Sequence, residues 1–271
     1  MISQNDLKTH QNILKNLLEL LPQIPQYHSP NSPIYNYIEQ TSRHSSVQLF
    51  GPNQTYEVDL GVIGKIGSGK SSFLELITRF YDPNRGIIKI DGINIKDFTL
   101  GDLRKNIGYV PQNPFLFSES IQENLQFGLK NASVDKIIDA SKKAVIHKDI
   151  INFKQGYKTI LGERGVTLSG GQIQRLSIAR VFIKNPKIFL FDDCLSAVDN
   201  DTEEEILKNL KSISRNKTTI IVSHRISSLK HANQIIVFEN GKIVQQGKHI
   251  DLIGAAGYYK ELFEKQQADQ S

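Results

Sequence analysis

Residues 57–72 read Glu-Val-Asp-Leu-Gly-Val-Ile-Gly-Lys-Ile-Gly-Ser-Gly-Lys-Ser-Ser. An extended, largely apolar run at 57–63 enters a loop, Gly64–Ser71, with the spacing GxxxxGK[ST]. A helix is predicted to start at Ser71-Ser72-Phe-Leu-Glu. Strand, glycine-rich loop and helix in that order form the context in which this spacing cradles phosphate, rather than a chance glycine-rich turn. Gly64, Gly67 and Gly69 let the backbone wrap close to an anion. The N–H groups along Gly64, Lys65, Ile66, Gly67, Ser68, Gly69, Lys70, Ser71 and Ser72 then face it from the loop and the helix N-terminus. Lys70 is placed to bridge β- and γ-phosphate oxygens, and the Ser71 hydroxyl to ligate Mg²⁺.

A site of this kind needs an acidic station. Residues 188–193, Ile-Phe-Leu-Phe-Asp-Asp, supply an apolar strand ending in two carboxylates. Asp192 suits Mg²⁺ through water, and Asp193 is placed to hold or activate an attacking water. The plainer reading is a pair of strand-end aspartates capping a helix. Gln112 and His224 each follow an apolar strand run, IGYVP and TTIIVS. Ligands bind parallel sheets at the carboxyl ends of their strands. There His224 could contact a γ-phosphate and Gln112 could reach Mg²⁺ or water. A lone histidine is otherwise a structural residue.

Strands are predicted at 57–63, 87–90, 107–110, 187–191, 218–222 and 234–238, with helices at 71–80, 134–145, 172–184 and 202–213. The continuously apolar runs IFLF and TIIV fit strands buried on both faces of a parallel sheet. The fold class is therefore α/β. Segment 115–165 is helix-rich and carries no clear central strand, which marks a helical subdomain over about residues 115–180. Residues 11–21 have helical apolar spacing, Pro22 ends that helix, and four prolines within 22–33 read as a linker. The domains are thus 1–33, a helix and proline-rich linker, and 34–271, the catalytic domain.

The chain has 271 residues, 39% of them apolar, enough for one large α/β domain or a domain plus an appendage. The net charge of +5 reads as a solvated surface; a basic face toward anionic lipid or nucleic acid is the other reading. The one cysteine, Cys194, excludes an internal disulfide and fits a reducing compartment. It reads as a buried spacer rather than a reactive thiol. No apolar run approaches the ~20 residues that span a bilayer. The N-terminus has no basic start followed by an apolar stretch, so it is not read as a signal peptide. The expectation is a soluble chain whose membrane attachment comes through another polypeptide.

Residues 168–172, Leu-Ser-Gly-Gly-Gln, lie about a hundred residues after the phosphate loop. An ordinary nucleotide-binding fold has no need of this loop. Together the motifs resemble the nucleotide-binding domain of ATP-binding cassette (ABC) transporters over about residues 61–268. They are GKIGSGKS, YVPQNPFLFS with Gln112, LSGGQIQRLSIAR, IFLFDD, SAVD with Asp199, and IVSHR with His224. The resemblance implies a P-loop NTPase core with a mainly parallel sheet, an antiparallel β edge and an inserted helical signature subdomain. It implies ATP and Mg²⁺ as cofactors, and a head-to-tail dimer with a second such domain, identical or different. Ser169, Gly170, Gly171 and Gln172 of one subunit would then grip the γ-phosphate of ATP held by the other. GERG at 162–165, SESIQENLQFG at 118–128 and the tail resemble exporters of the multidrug and lipid-flippase type. A separate transmembrane exporter domain would be the partner, at the cytoplasmic face of the membrane. Neither nucleic acid nor a membrane span of this chain belongs to that picture.

Asp193 stands where the family usually has glutamate, one methylene longer. In this the chain resembles the subunit of heterodimeric exporters that carries the degenerate ATP site, while its own LSGGQ would complete the partner's competent site. A nucleotide-gated dimerisation module with little hydrolysis is the alternative reading. A chromosome-maintenance ATPase would need long coiled coils between the motifs, for which there is no room. The family's adenine-stacking aromatic falls about 25 residues before the loop. Tyr37 is the candidate, with Tyr35 and Tyr56 as alternatives. Glu57 and Asp59 are unusual in a strand feeding such a loop, so the edge that grips adenine is expected to be altered.

Overall fold

The computed structural model describes residues 58–84, 86–91, 93–162 and 165–269. The predicted N-terminal helix and linker, Tyr35, Tyr37, Tyr56, Glu57, and the central residues of GERG lie outside the described residues. The chain forms two compact units. One comprises the residues up to Lys105 together with Asn216 onward, and the other is Asn106–Arg215.

In the first unit, β1 (Val58–Gly64) lies between β6 (Thr218–Val222) and β7 (Gln234–Glu239), parallel to both. Leu60, Val62 and Ile63 of β1 and Ile235, Ile236 and Val237 of β7 are fully buried. Burial without alternation is what helices on both faces of a parallel sheet demand. Gly61 is the thin spot: a Cβ there would meet Ile235 Cγ1 at 3.2 Å and Leu229 Cβ at 3.3 Å. Asp59 sits at the start of the strand. Its amide donates to Asn233 Oδ1 (3.0 Å), and its carbonyl accepts from the Asn233 amide (2.9 Å). The charged side chain therefore falls where the strand begins, away from the loop.

After the phosphate loop comes α1 (Lys70–Ile77). It stops three residues before the predicted end, because Arg79 turns to φ 51° and its guanidinium donates to the carbonyls of Ile95 (3.0 Å) and Phe98 (3.1 Å). The predicted strand at 87–90 shrinks to β2 (Lys89–Ile90), which pairs antiparallel with β3 (Ile93–Asn94). A short helix, α2 (Leu100–Lys105), closes this stretch.

The antiparallel edge is β8 (Lys242–Gly247), joined to β7 through Asn240 and Gly241, whose φ angles are 49° and 74°. Positive φ at both residues of a two-residue loop is the geometry that Asn-Gly favours. Helices α8 (His249–Gly254) and α9 (Tyr258–Ala268) end the described chain. Tyr259 of α9 is fully buried among Ile63, Ile226, Leu229, Ile235, Val237 and Leu252, and its hydroxyl meets His249 Nδ1 at 2.8 Å. Burial pushes the Tyr259 phenol up to about 12, and burial followed by the Lys230 and His231 charges lowers His249.

In the second unit β4 (Ile107–Val110) runs parallel to β5 (Ile188–Asp192), every residue of which is buried. The helices are α3 (Ile121–Gln126), α4 (Val134–Lys143), α5 (His147–Asn152), α6 (Gly170–Lys184) and α7 (Asn200–Ile213). Helix α6 is the spine. Gly108 of β4 admits it closely, since a Cβ there would fall 2.5 Å from Val181 Cγ1. Arg180 of α6 donates to the carbonyl of Asn124 (2.7 Å) and lies over the Phe117 ring at 5.6 Å. Asn124, fully buried, accepts from the Phe117 amide (2.9 Å), so α6 fixes the segment that follows Gln112.

Truncating Tyr259 to alanine should cost about 3–5 kcal/mol of stability, the range for a buried aromatic. Tyr259→Phe, which loses only the hydroxyl's bond, should cost about 1 kcal/mol. Urea unfolding of both variants checks the difference.

Candidate nucleotide site

The first unit builds the phosphate loop from its two ends inward. β1 delivers Gly64 against β7 so closely that a Cβ would lie 2.2 Å from the Phe238 carbonyl oxygen. At the other end Gly69 is the residue before α1, with φ 100° and no side-chain cap. A residue with a Cβ would strain there. The first amides of a helix have no intrahelical acceptor, and the start of α1 is the kind of helix end that favours an anion.

Lys70 is 6% exposed. Its Nζ donates to the carbonyls of Gly64 and Lys65, both at 2.8 Å, and approaches Ser68 Oγ at 3.5 Å. The loop thus closes over its own ammonium. It is braced from outside by the β7–β8 hairpin. The Gly241 amide donates to the Ser68 carbonyl (3.0 Å), and Lys65 Nζ meets Glu239 Oε1 at 3.1 Å and overlies the Tyr258 ring at 5.7 Å. The Glu239 hydrogen bond and charge raise Lys65. Ile66, at the loop's tip, is almost wholly exposed.

His224 lies in the same unit, two residues past β6. The Ser223 amide donates to the Val62 carbonyl of β1 (3.1 Å), and Ser223 Oγ accepts from the Arg225 amide (3.0 Å). The His224 turn and the phosphate loop therefore leave the carboxyl ends of adjacent parallel strands, where such sheets take ligands.

The acidic station belongs to the second unit. Asp192 is the last residue of β5, 3% exposed, and its Oδ2 accepts from the Tyr109 hydroxyl (3.3 Å). Asp193 is also buried and turns the chain with φ 47°. Its carbonyl accepts from Ser196 Oγ (2.9 Å). Cys194 is buried, and burial together with the Asp192 and Asp193 charges pushes its thiol far up. It is a packing residue with no thiolate chemistry at ordinary pH. Gln112, two residues past β4, is exposed.

Helix α6 begins two residues earlier than predicted, at Gly170, with Ser169 as its cap. Ser169 Oγ accepts from the Gln172 amide (3.3 Å), and Gln172 Oε1 accepts from the Ser169 amide (3.0 Å). This reciprocal box leaves the Ser169 hydroxyl proton and the Gly170 and Gly171 amides for an outside acceptor. Asp149 of α5 holds the turn from behind, accepting from Gln172 Nε2 (2.9 Å) and Arg175 Nη1 (2.9 Å). Burial raises Asp149, but the bonds from Gln172 and Arg175 outweigh it and the carboxyl sits below its ordinary value.

Of the two signature glycines, Gly171 has a local reason and Gly170 does not. A Cβ on Gly171 would lie 2.7 Å from the Ala197 carbonyl oxygen, and one on Gly170 would lie 3.4 Å from Ala197 Cβ. Gln174 completes the seam: its Oε1 accepts from the Ala197 amide (3.0 Å) and its Nε2 donates to Ser196 Oγ (3.1 Å). Asp199 caps α7, accepting from the Thr202 amide (2.9 Å). Side chains at Gly171 would collide within the chain itself.

The hairpin brace, Asp149 and Gln174 were missed in the sequence reading. The first had a visible signal: Asn240-Gly241 between two runs of strand-forming residues. The other two had none, because a polar residue on a helix says nothing of the distant partner it will meet.

A family model described as ABC transporter matches residues 56–196. An uncharacterized ABC transporter ATP-binding protein of Bacillus subtilis is 49% identical over 210 residues, covering 78% of this chain and 36% of that protein. A putative multidrug export ATP-binding/permease protein of Staphylococcus aureus is 48% identical over 201 residues, covering 74% of this chain and 35% of its own length. The chain thus spans about a third of the length of these curated relatives. Among solved structures, a bacterial Atm1-family ABC exporter with ATP bound matches with a TM-score of 0.75 and 41% identity, over 77% of this chain and 37% of that one.

Because its folded-state value is depressed, Asp149 contributes stability that is complete above the unfolded carboxyl value of about 3.9. That contribution is lost as pH falls through the lower folded value. Asp149→Asn should cost about 1 kcal/mol at pH 7, a partly exposed pair being screened. The gap between the two proteins should close in acid, as read from unfolding midpoints at a series of pH values.

Proposed function

The chain belongs to the ABC transporter family, and on that footing we propose that it is the ATP-binding part of an exporter. It binds Mg²⁺-ATP in a head-to-tail dimer with a second such domain, and the closure of that dimer drives a separate transmembrane domain at the cytoplasmic face of the membrane. The observation that carries this reading is that the chain builds two helix starts of the kind that suits an anion. The first is α1 with its buried Lys70. The second is α6, where Ser169 and the Gly170 and Gly171 amides are exposed or half-exposed and the cap is already satisfied within the chain. One nucleotide per chain needs only the first; the second is made for the nucleotide of a partner. Among the described residues no helix is long and apolar enough to cross a membrane, so transport requires further polypeptide.

The residues divide the work by chemistry. Lys70 and the loop amides bind the β- and γ-phosphates, and a triphosphate oxygen replaces a loop carbonyl as the ammonium's acceptor. Asp192, Ser71 and Gln112 are the residues that would hold Mg²⁺. A single carboxylate, a hydroxyl and an amide oxygen are a hard, sparse donor set that leaves room for phosphate oxygens and water, which suits this ion. Bound there, the ion would neutralise charge on the phosphates. Asp193 orients the attacking water and His224 meets the γ-phosphate. The aromatic partner of adenine is sought at Tyr37, Tyr35 or Tyr56.

Phe115, at 68% exposure, and Phe127, at 71%, crown a cleft of about 410 Å³ lined also by Tyr109, Pro111 and Arg180. Exposed rings beside the Gln112 segment are a docking surface for the transmembrane partner.

Lys70→Ala should abolish Mg²⁺-ATP binding in calorimetry, because it removes the ammonium and strands two carbonyls; wild-type affinity in this variant would refute the site. Hydrolysis by the chain alone should be slow, since general-base assistance worth ~10²–10⁴-fold requires hydrogen-bond reach and Asp193 is a methylene short. Asp193→Glu should raise the rate of the homodimer. Mixing wild type with a glutamate-bearing partner should restore turnover at the partner's site. Fast wild-type turnover unchanged by Asp193→Glu would remove the degenerate-site reading.

A further inference from the structure

Helix α9 presents Tyr259, Leu262, Phe263 and Gln266 along one face, the three- and four-residue spacing of a core-facing stripe. The first three pack against the cluster of Ile63, Ile226 and Leu229. Gln266, at the end of the stripe, is a polar residue in an apolar position. The residue is half-buried, and its amide is held where both ends find partners. The partners lie on either side of one residue: Nε2 donates to the His224 carbonyl (2.7 Å) and Oε1 accepts from the Ile226 amide (3.0 Å). One side chain thus ties the backbone on both sides of Arg225. Ile226 is 3% exposed and anchors the far end of the turn in the same core.

We propose that Gln266 is a positioning residue: the C-terminal helix sets the His224 turn through this paired clamp, so that γ-phosphate contact depends on α9 being docked. Packing alone does not account for it, because an aliphatic residue would extend the stripe equally well. The clamp fixes the peptide planes from which His224 projects. Seating α9 through Tyr259 then becomes a condition of catalysis. The inference rests on the reading of His224 given above.

The test is single-turnover hydrolysis of Mg²⁺-ATP, with protein in excess, by wild type, His224→Ala, Gln266→Met and the double variant, with ATP affinity measured by calorimetry. Methionine keeps length and packing while removing both bonds. Gln266→Met should slow hydrolysis by about tenfold or more, since displacing a reacting group by 1 Å can cost on the order of 10²-fold. ATP affinity should stay within about twofold, the loss being confined to the chemical step. Added to His224→Ala, it should cost nothing further, because both changes act through one group. Should Gln266→Met not fold, Gln266→Glu carries the same criteria: it keeps the acceptor for the Ile226 amide and loses the donor to the His224 carbonyl. A wild-type rate in either variant overturns the proposal. So does an equal, independent loss in the His224→Ala background, or a parallel loss of ATP affinity. His224→Ala hydrolysing at the wild-type rate would instead overturn the assignment of His224 itself.

Discussion

A buried ammonium needs acceptors, and in this chain the phosphate loop supplies them from its own backbone. Lys70 lies under the turn that it helps to close, held by the carbonyls of Gly64 and Lys65. That arrangement dictates what surrounds it. The backbone must pass within contact of β7 at Gly64, so no side chain is tolerated there. The helix must start sharply, so Gly69 takes a left-handed turn. The loop then carries a desolvated positive charge at the start of a helix, and an anion is the natural complement.

The supports of the loop come from the end of the chain. The Asn240-Gly241 turn bonds to Ser68, Glu239 engages Lys65, and Tyr258 lies under the Lys65 ammonium. The next residue, Tyr259, is the plug of the core cluster, and Gln266 ties the His224 turn. Individually the exposed contacts are weak, the Lys65–Glu239 pair most of all. Their effect is geometric: the hairpin and α9 restrain both the loop and the histidine turn that flank β1 and β6.

Much of this was legible in the sequence wherever one local rule decided the outcome. The spacing of Gly64, Gly69, Lys70 and Ser71 specified the loop, and the apolar runs at β5 and β6 specified buried parallel strands. The helix predicted from 172 is there, and the capping box of Ser169 with Gln172 starts it two residues sooner. What escaped was set by tertiary partners. The strand at 87–90 looked long because three of its four residues are isoleucine, yet Ile87 is 53% exposed and only two residues pair. Helix α1 was read too long because nothing in Arg79 itself foretells that its guanidinium will reach Ile95 and Phe98. An antiparallel edge was expected, but no strand was assigned at 242–247, although Asn240-Gly241 marks it. Gly171 was expected to face a phosphate, and nothing in the sequence shows that the Ala197 carbonyl also keeps it small.

That last point decides how the dimer is best tested. A bulky residue at Gly171 would disturb the chain's own Ala197 segment, whereas Ser169 is exposed and its cap can be replaced. Aspartate caps helices as well as serine does, so Ser169→Asp should preserve α6 while setting a carboxylate against the γ-phosphate of the facing nucleotide. The direct measurement is sedimentation of wild type and Ser169→Asp with and without Mg²⁺-ATP, alongside calorimetric ATP affinity. Dimerisation of the wild type on ATP, with Ser169→Asp binding ATP normally yet remaining monomeric, is the result this account predicts. A Ser169→Asp chain that dimerises on ATP as the wild type does would contradict it.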